Sequence, residues 1–298
     1  SVTHTPCITY HRVHAGGGSD QSHTGNPGHR DNHRIALYPV LLENVIMSTP
    51  KYEFVPGDEK VIAPGRTVKR IRALVAIGLL VSPGDVGGYI EKVSNLEQVS
   101  GDAWVSDNAQ VYGDAWVYDN AWVSGDAKVY GKARVYDNAW VSCDAWVSGD
   151  AKVYGNARVY DNAWVYCDAW VSGDAQVSGD ARVYDNAWVS GDARVSGNAQ
   201  VSGDARVYDN ARVSGNAQVS DKGSIVWFTG VGSDYGTLTA YATSTGDIEL
   251  TRGCFRGTID QFLEASERKH DDATHLEYRM LVEVAHSRIP RSRCALQS

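Results

Sequence analysis

Between residues 99 and 222 one six-residue unit repeats without a break: Val, then Ser or Tyr, then Gly, Asp or Cys, then Asp, Asn or Lys, then Ala, then one variable residue. Val recurs at every sixth position from Val99 to Val219, and Ala at every sixth from Ala103 to Ala217. Six residues match neither the 3.6-residue turn of a helix nor an uninterrupted alternating strand. They match a short strand followed by a tight corner, which is one side of a solenoid.

The corner chemistry agrees. After each Ser or Tyr come Gly-Asp, Gly-Asn, Asp-Asn, Cys-Asp, Gly-Lys or Asp-Lys, mostly residues that tolerate positive φ or hydrogen-bond to nearby backbone. In the extended part, Ala-x-Val-Ser/Tyr, side chains alternate, so Ala and Val point one way while x and Ser/Tyr point the other. Ala and Val line the inside, too narrow a column for a cavity. The outward residues carry whatever the surface does.

The unit Val99-Ser100-Gly101-Asp102-Ala103-Trp104 resembles the hexapeptide-repeat family of left-handed parallel β-helices, in which an aliphatic and a small residue alternate with variable ones. The resemblance implies three hexapeptides per triangular coil and nearly seven coils. At about 4.8 Å per stacked strand the prism is roughly 30 Å long. Pro83-Gly84-Asp85-Val86-Gly87-Gly88-Tyr89-Ile90-Glu91-Lys92, Asn95-Leu96 and Gly101-Asp102-Ala103-Trp104-Val105 further resemble the lead-in of YdcK-like bacterial and prophage hexapeptide-repeat proteins. Trp227 to Ser233 and Gly253 to Thr258 resemble the tail of the same group. That fold relationship implies an acetyltransferase association but brings no active-site residues with it.

Four regions are expected. Residues 1–46, with six of the nine histidines and a triple Gly, read as a disordered or non-native extension, Met47 being a candidate start. Their irregular His spacing gives no metal site, and Ile35 to Met47 lacks the marks of a signal peptide or a membrane span. Residues 47–98 form an N-terminal β cap. It has strands at Tyr52–Val55, Lys60–Ile62 and Thr67–Leu74, and a buried apolar run from Leu74 to Val81 covers the first coil. Residues 99–222 are the β-helix. Residues 223–298 form a C-terminal α+β cap with strands at Ile225–Phe228, Thr237–Thr243 and Asp247–Arg252. A Thr258/Gln261 capping box opens a helix over Ile259–Lys269, and a second helix, about Ala273–Arg288, covers the last coil with Leu276, Met280, Leu281 and Val284. Cys143 and Cys167 fall on different edges of an 18-residue coil and do not pair; a reduced, cytoplasmic setting, or a phage particle, is expected.

Catalytic groups are sparse. Hexapeptide acyltransferases use a histidine base, and none occurs between His33 and His270; the same gap removes a three-histidine zinc site. Cys254 beside Phe255 reads as a small buried apolar residue rather than a nucleophile served by His270, His275 or His286. The corner aspartates recur because turns need them. No catalytic residue, metal or cofactor is assigned.

The variable position is the informative one. Sorted by 18, one face reads Trp104, Trp122, Trp140, Arg158, Gln176, Arg194, Arg212; another reads Gln110, Lys128, Trp146, Trp164, Arg182, Gln200, Gln218; the third reads Trp116, Arg134, Lys152, Trp170, Trp188, Arg206. Either these rows are structural ladders in which rings stack and an Arg closes each run, with Tyr112–Tyr130 and Tyr118–Tyr136–Tyr154 stacking likewise, or they are a binding face for a polysaccharide or protein. The candidate face comprises Trp104, Trp122, Trp140, Arg158, Trp146, Trp164, Arg182, Trp170, Trp188 and Arg206. Seventeen Asp against ten Lys plus Arg in the repeats, and a net charge of −8, disfavour nucleic acid. A non-catalytic structural or binding solenoid is expected; the alternative is an acyltransferase that uses acyl-CoA such as acetyl-CoA, assembled as a trimer with its sites between subunits.

Overall fold

The computed structural model describes residues 49–289. The expectations for the N-terminal extension, its histidines and Met47 lie outside the described residues. Strands β1 (Tyr52–Ala63), β2 (Arg66–Ala73) and β3 (Val86–Ile90) are followed by twenty two-residue strands, β4 to β23, running from Trp104–Val105 to Gln218–Val219. Each of the twenty is one variable residue and its Val. They stack into three parallel sheets in the order expected, every strand pairing with those 18 residues away: Trp140 stands between Trp122 and Arg158, and Trp164 between Trp146 and Arg182. The protein is a β-solenoid of about seven turns.

The reason lies in the two inward residues. The repeat Ala side chains from Ala103 to Ala217 and the Val side chains from Val105 to Val219 are almost completely excluded from solvent. Each coil donates its backbone N–H groups to the next, as from Trp122 to Ala139 and from Ser124 to Val141, both 2.9 Å. The corners do more than turn. Asp137 and Asp161 adopt left-handed φ of 56° and 57°, and their carboxylates accept the N–H of Gly155 and Gly179 in the next coil, both at 3.0 Å. One residue on, Asn120, Asn138, Asn156 and Asp174 form an amide ladder with links of 3.2, 3.2 and 2.9 Å. Asp and Asn are therefore used to tie neighbouring corners together as well as to bend each one. Cys143 and Cys167 take the same left-handed corner position and are unpaired among the described residues. They lie over Gly125 and Gly149 on separate edges.

At the N-terminal end β1, β2 and β3 form an antiparallel meander, and β3 then pairs in parallel with the second face, Tyr89 opposite Gln110. Pro56-Gly57 is a bulge within one long strand, between Phe54 and Glu59, rather than a turn between two. Two expectations are corrected here. Leu74 to Val81 is a tight turn, not a buried strand: Ile77 and Val81 bridge each other and join the core, while Leu79 and Leu80 project into solvent. Val99 is 68 % exposed, and Leu96 stands opposite Val117 in its place. The stretch around residues 97–101 is held out of register by Lys51, whose buried ammonium donates to the carbonyls of Ser100 and Gly101 at 2.7 and 2.9 Å. Burial pushes that amine below the usual lysine range, with Glu97 and Asp102 opposing the shift.

At the other end β24 (Ile225–Val231), β25 (Gly236–Ala242), β26 (Ile248–Arg252) and β27 (Phe255–Thr258) form an antiparallel sheet. Helices α1 (Ile259–Lys269) and α2 (Asp272–Arg288) follow, and the Thr258/Gln261 capping box is present. The last coil is covered by the sheet, not by α2. Tyr241 is fully buried at the end of the Val and Ala column, Ala217 bridges Thr243, and Thr251 Oγ1 donates to the Arg212 carbonyl at 2.7 Å. Helix α2 buries Tyr278, Val282 and Ala285 against the sheet. Leu276, Met280 and Val284 are exposed, while Leu281 packs only partly on that core. The apolar stripe chosen from the sequence left out Tyr278, which sets the buried side of the helix.

Candidate functional site: the outward ladders

Along two faces the variable residues form four-membered stacks. Trp146 and Trp164 lie 4.8 Å apart with planes 3° from parallel. Lys128 Nζ sits 4.6 Å from the Trp146 ring centre, and the Arg182 guanidinium 5.4 Å from that of Trp164. The third face repeats the arrangement: Trp170 and Trp188 at 4.7 Å and 5°, Lys152 at 4.2 Å over Trp170, and Arg206 at 5.1 Å over Trp188. Each stack is thus cation, ring, ring, cation. Coplanar rings at this separation would interpenetrate, so the indoles overlap face to face with an offset. The lysine comes from the coil before and the arginine from the coil after, so both faces of each ring are occupied. The Arg ends were legible from the residue order; the Lys ends were missed, although the same order shows them.

The first face is looser and needs a correction. Trp122 and Trp140 are 6.2 Å apart at 27°, with Arg158 6.0 Å from Trp140. Trp104 pairs in register with Trp122 but is only 2 % exposed and is not part of an outward face. Its ring lies under the N-terminal cap, so close to Gly87 that a Cβ there would fall 2.6 Å from Trp104 Cζ2. Only glycine permits that approach, and nothing in the repeat itself signals it.

Tyrosines extend the rows. Tyr112–Tyr130, Tyr118–Tyr136–Tyr154 and also Tyr166–Tyr184 stack at 4.9 to 5.0 Å. Tyr130 meets Trp146 edge-on at 6.3 Å and Tyr154 meets Trp170 at 6.4 Å, so the first two Tyr ladders each pass into a Trp ladder. Burial, followed by the neighbouring hydroxyls of Tyr118 and Tyr154, pushes the Tyr136 phenol up to about 12. An unfolded tyrosine ionises near pH 10. The ladder's contribution is therefore complete below that pH and is lost as pH rises toward about 12, where the unfolded chain gives up a proton that the fold retains. Burial raises the Tyr52, Tyr112, Tyr118, Tyr166 and Tyr241 phenols as well, so a tyrosinate absorbance titration is expected to show a late-ionising component that Tyr136→Phe reduces by one phenol. A late component of unaltered amplitude in the variant would assign it wholly to the other tyrosines.

Beside the stacks run two grooves. One, of about 500 Å³, lies between corner residues Lys132, Asp150 and Asp168 and the row Arg134, Lys152, Trp170, Trp188. The other, of about 450 Å³, lies between Asp126, Asp144 and Asn162 and the row Lys128, Trp146, Trp164. Both grooves carry charges of both signs, the second with Lys128 beside Asp126 and Asp144, so neither has the one-sided positive field that draws a polyanion.

The C-terminal residues weighed for catalysis are distributed differently from the expectation. Cys254 is exposed, not buried, because it sits at the turn between β26 and β27. It shares a cavity with His270. His275 Nδ1 lies 3.2 Å from Ser266 Oγ, and His286 lines a separate cleft with Asp260 and Glu283. Among the described residues Cys254 makes no hydrogen bond to a histidine. No helix there is long and apolar enough to cross a membrane.

Parallel sheets on three faces, an Ala and Val core and stacked aromatic rows define an aromatic-laddered β-solenoid. The YdcK β-solenoid repeat matches residues 109–125, 151–167, 175–191, 187–203, 199–215 and 205–221. The matches fall within residues 109–221, which carry that family's repeat. No curated protein matches the chain.

Proposed function

We propose that the protein is a rigid, non-catalytic scaffold of bacterial or prophage origin, a left-handed solenoid that holds its two end modules at a fixed separation. The reading is supported by the occupied ring faces: in the stacks Lys128–Trp146–Trp164–Arg182 and Lys152–Trp170–Trp188–Arg206 the aromatic surface is used inside the molecule. Aromatic pairs contribute about 0.5–1.5 kcal/mol each and exposed cation–π contacts about 0.5–1 kcal/mol. Such increments reinforce a core whose Ala side chains bury little area. The handedness and origin rest on the resemblance of the repeats and end segments to hexapeptide proteins.

A second reading, recognition of a polysaccharide or a protein surface, is supported by the two grooves, where indole edges, ammonium groups and corner carboxylates stand together. Tryptophan fluorescence titrated with bacterial polysaccharides, and separately with acetyl-CoA, distinguishes the readings. The scaffold predicts no saturable change with either. A saturable response to a polysaccharide, abolished by Trp188→Ala, would replace it with the recognition surface. A response to acetyl-CoA would replace it with the acyltransferase, which further requires a trimer.

A further inference from the structure

The C-terminal module contains a cavity of about 460 Å³ that the solenoid does not touch, bounded by the β24–β25 loop, the β26–β27 turn and the two helices. Its size lies within the range of small-molecule sites. One wall is aromatic: Phe255 meets Phe262 at 5.3 Å, Phe262 meets Tyr278 at 5.1 Å, and Tyr278 meets His270 at 5.5 Å. The charged lining is mainly cationic, with Arg252 and Lys269 set against Asp234 alone. Arg252 is anchored by a 2.9 Å bond from Nη2 to the Val231 carbonyl, while its buried Nε has no partner among the described residues. Cys254 stands exposed in the lining.

We propose that this cavity binds a small organic acid, its apolar or aromatic body against Phe255, Phe262 and Tyr278 and its carboxylate held by Arg252 and Lys269. An aromatic wall beside two cations suits a ligand with one apolar end and one anionic end. Charge-assisted hydrogen bonds are the strong ones, and here they form beside an aromatic wall. A neutral analogue keeps the first interaction and loses the second. The proposal is independent of the ladders and stands whether or not they bind anything.

Cys254 supplies the test. The full chain is alkylated with iodoacetamide in the presence of increasing benzoate or benzamide, and the modification of each cysteine is followed by peptide mapping, with the corner residues Cys143 and Cys167 as internal references. Benzoate is expected to slow modification of Cys254 saturably while leaving Cys143 and Cys167 unchanged, and benzamide to protect at least about tenfold less well, as loss of a charge-assisted bond implies. Lys269→Ala, an exposed change at the end of α1, is expected to raise the half-protecting benzoate concentration about tenfold. Asp234→Asn, which removes the opposing carboxylate, is expected to lower it. Equal protection by benzamide, equal slowing at all three cysteines, or an unchanged benzoate response in both variants would overturn the proposal.

Discussion

Trp104→Ala is expected to destabilise the N-terminal coil by about 3–5 kcal/mol, the range for truncating a buried aromatic residue, whereas Trp188→Ala on the outer face costs about 1–2 kcal/mol in stacking and cation–π contact. The two residues occupy the same position of the same repeat. They differ because the ring of Trp104 lies beneath the cap against Gly87, while Trp188 is 40 % exposed and stacks on Trp170 and Arg206. A solenoid transmits stability mainly between neighbouring repeats. The Trp104 effect should therefore be local, seen by hydrogen exchange as faster opening of the amides that link the first coil to the second, such as Trp104 N–H to Ala121. Equal losses in the two variants would show that the cap adds nothing to the burial of Trp104.

Removing the C-terminal module after Lys222 is expected to abolish the dispersed state of the protein, giving high-mass species by light scattering. The final coil presents backbone groups that β25 and its neighbours now satisfy: Arg212 N–H donates to Thr239 Oγ1 at 3.1 Å, Ser244 N–H donates to Asn216 O at 3.0 Å, and Tyr241 closes the Val and Ala column. Without them the open edges and the apolar end are templates for another chain. Tyr241→Asp in the full chain is expected to weaken the same junction by burying a carboxylate in place of the phenol, which lies 3.3 Å from Ser214 Oγ. A fragment that remained monodisperse would mean that the charged corners of the last coil are sufficient protection.

The hexad by itself determined the solenoid, the inward Val and Ala, the membership of each face, the separation of Cys143 from Cys167, and the Trp and Tyr ladders. It could do so because each coil touches only the coils before and after it, so an 18-residue interval in the sequence becomes direct contact in space. The capping box and both helices were legible for a similar reason, since they rest on residues three and four apart. What lay beyond sequence reading sits at the ends. Whether Val99 or Leu96 enters the core depends on Lys51 reaching Ser100 and Gly101, and on Tyr52 donating its hydroxyl to the Leu96 carbonyl at 3.0 Å. Burial of Trp104 depends on Gly87, exposure of Cys254 on the unforeseen strand β27, and the outward stripe of α2 on Tyr278 meeting Phe262. These outcomes are set by segments that do not repeat and that pack from distant parts of the chain. A period fixes the neighbours of a residue within a repeating array; at its ends only tertiary packing decides which surface is covered.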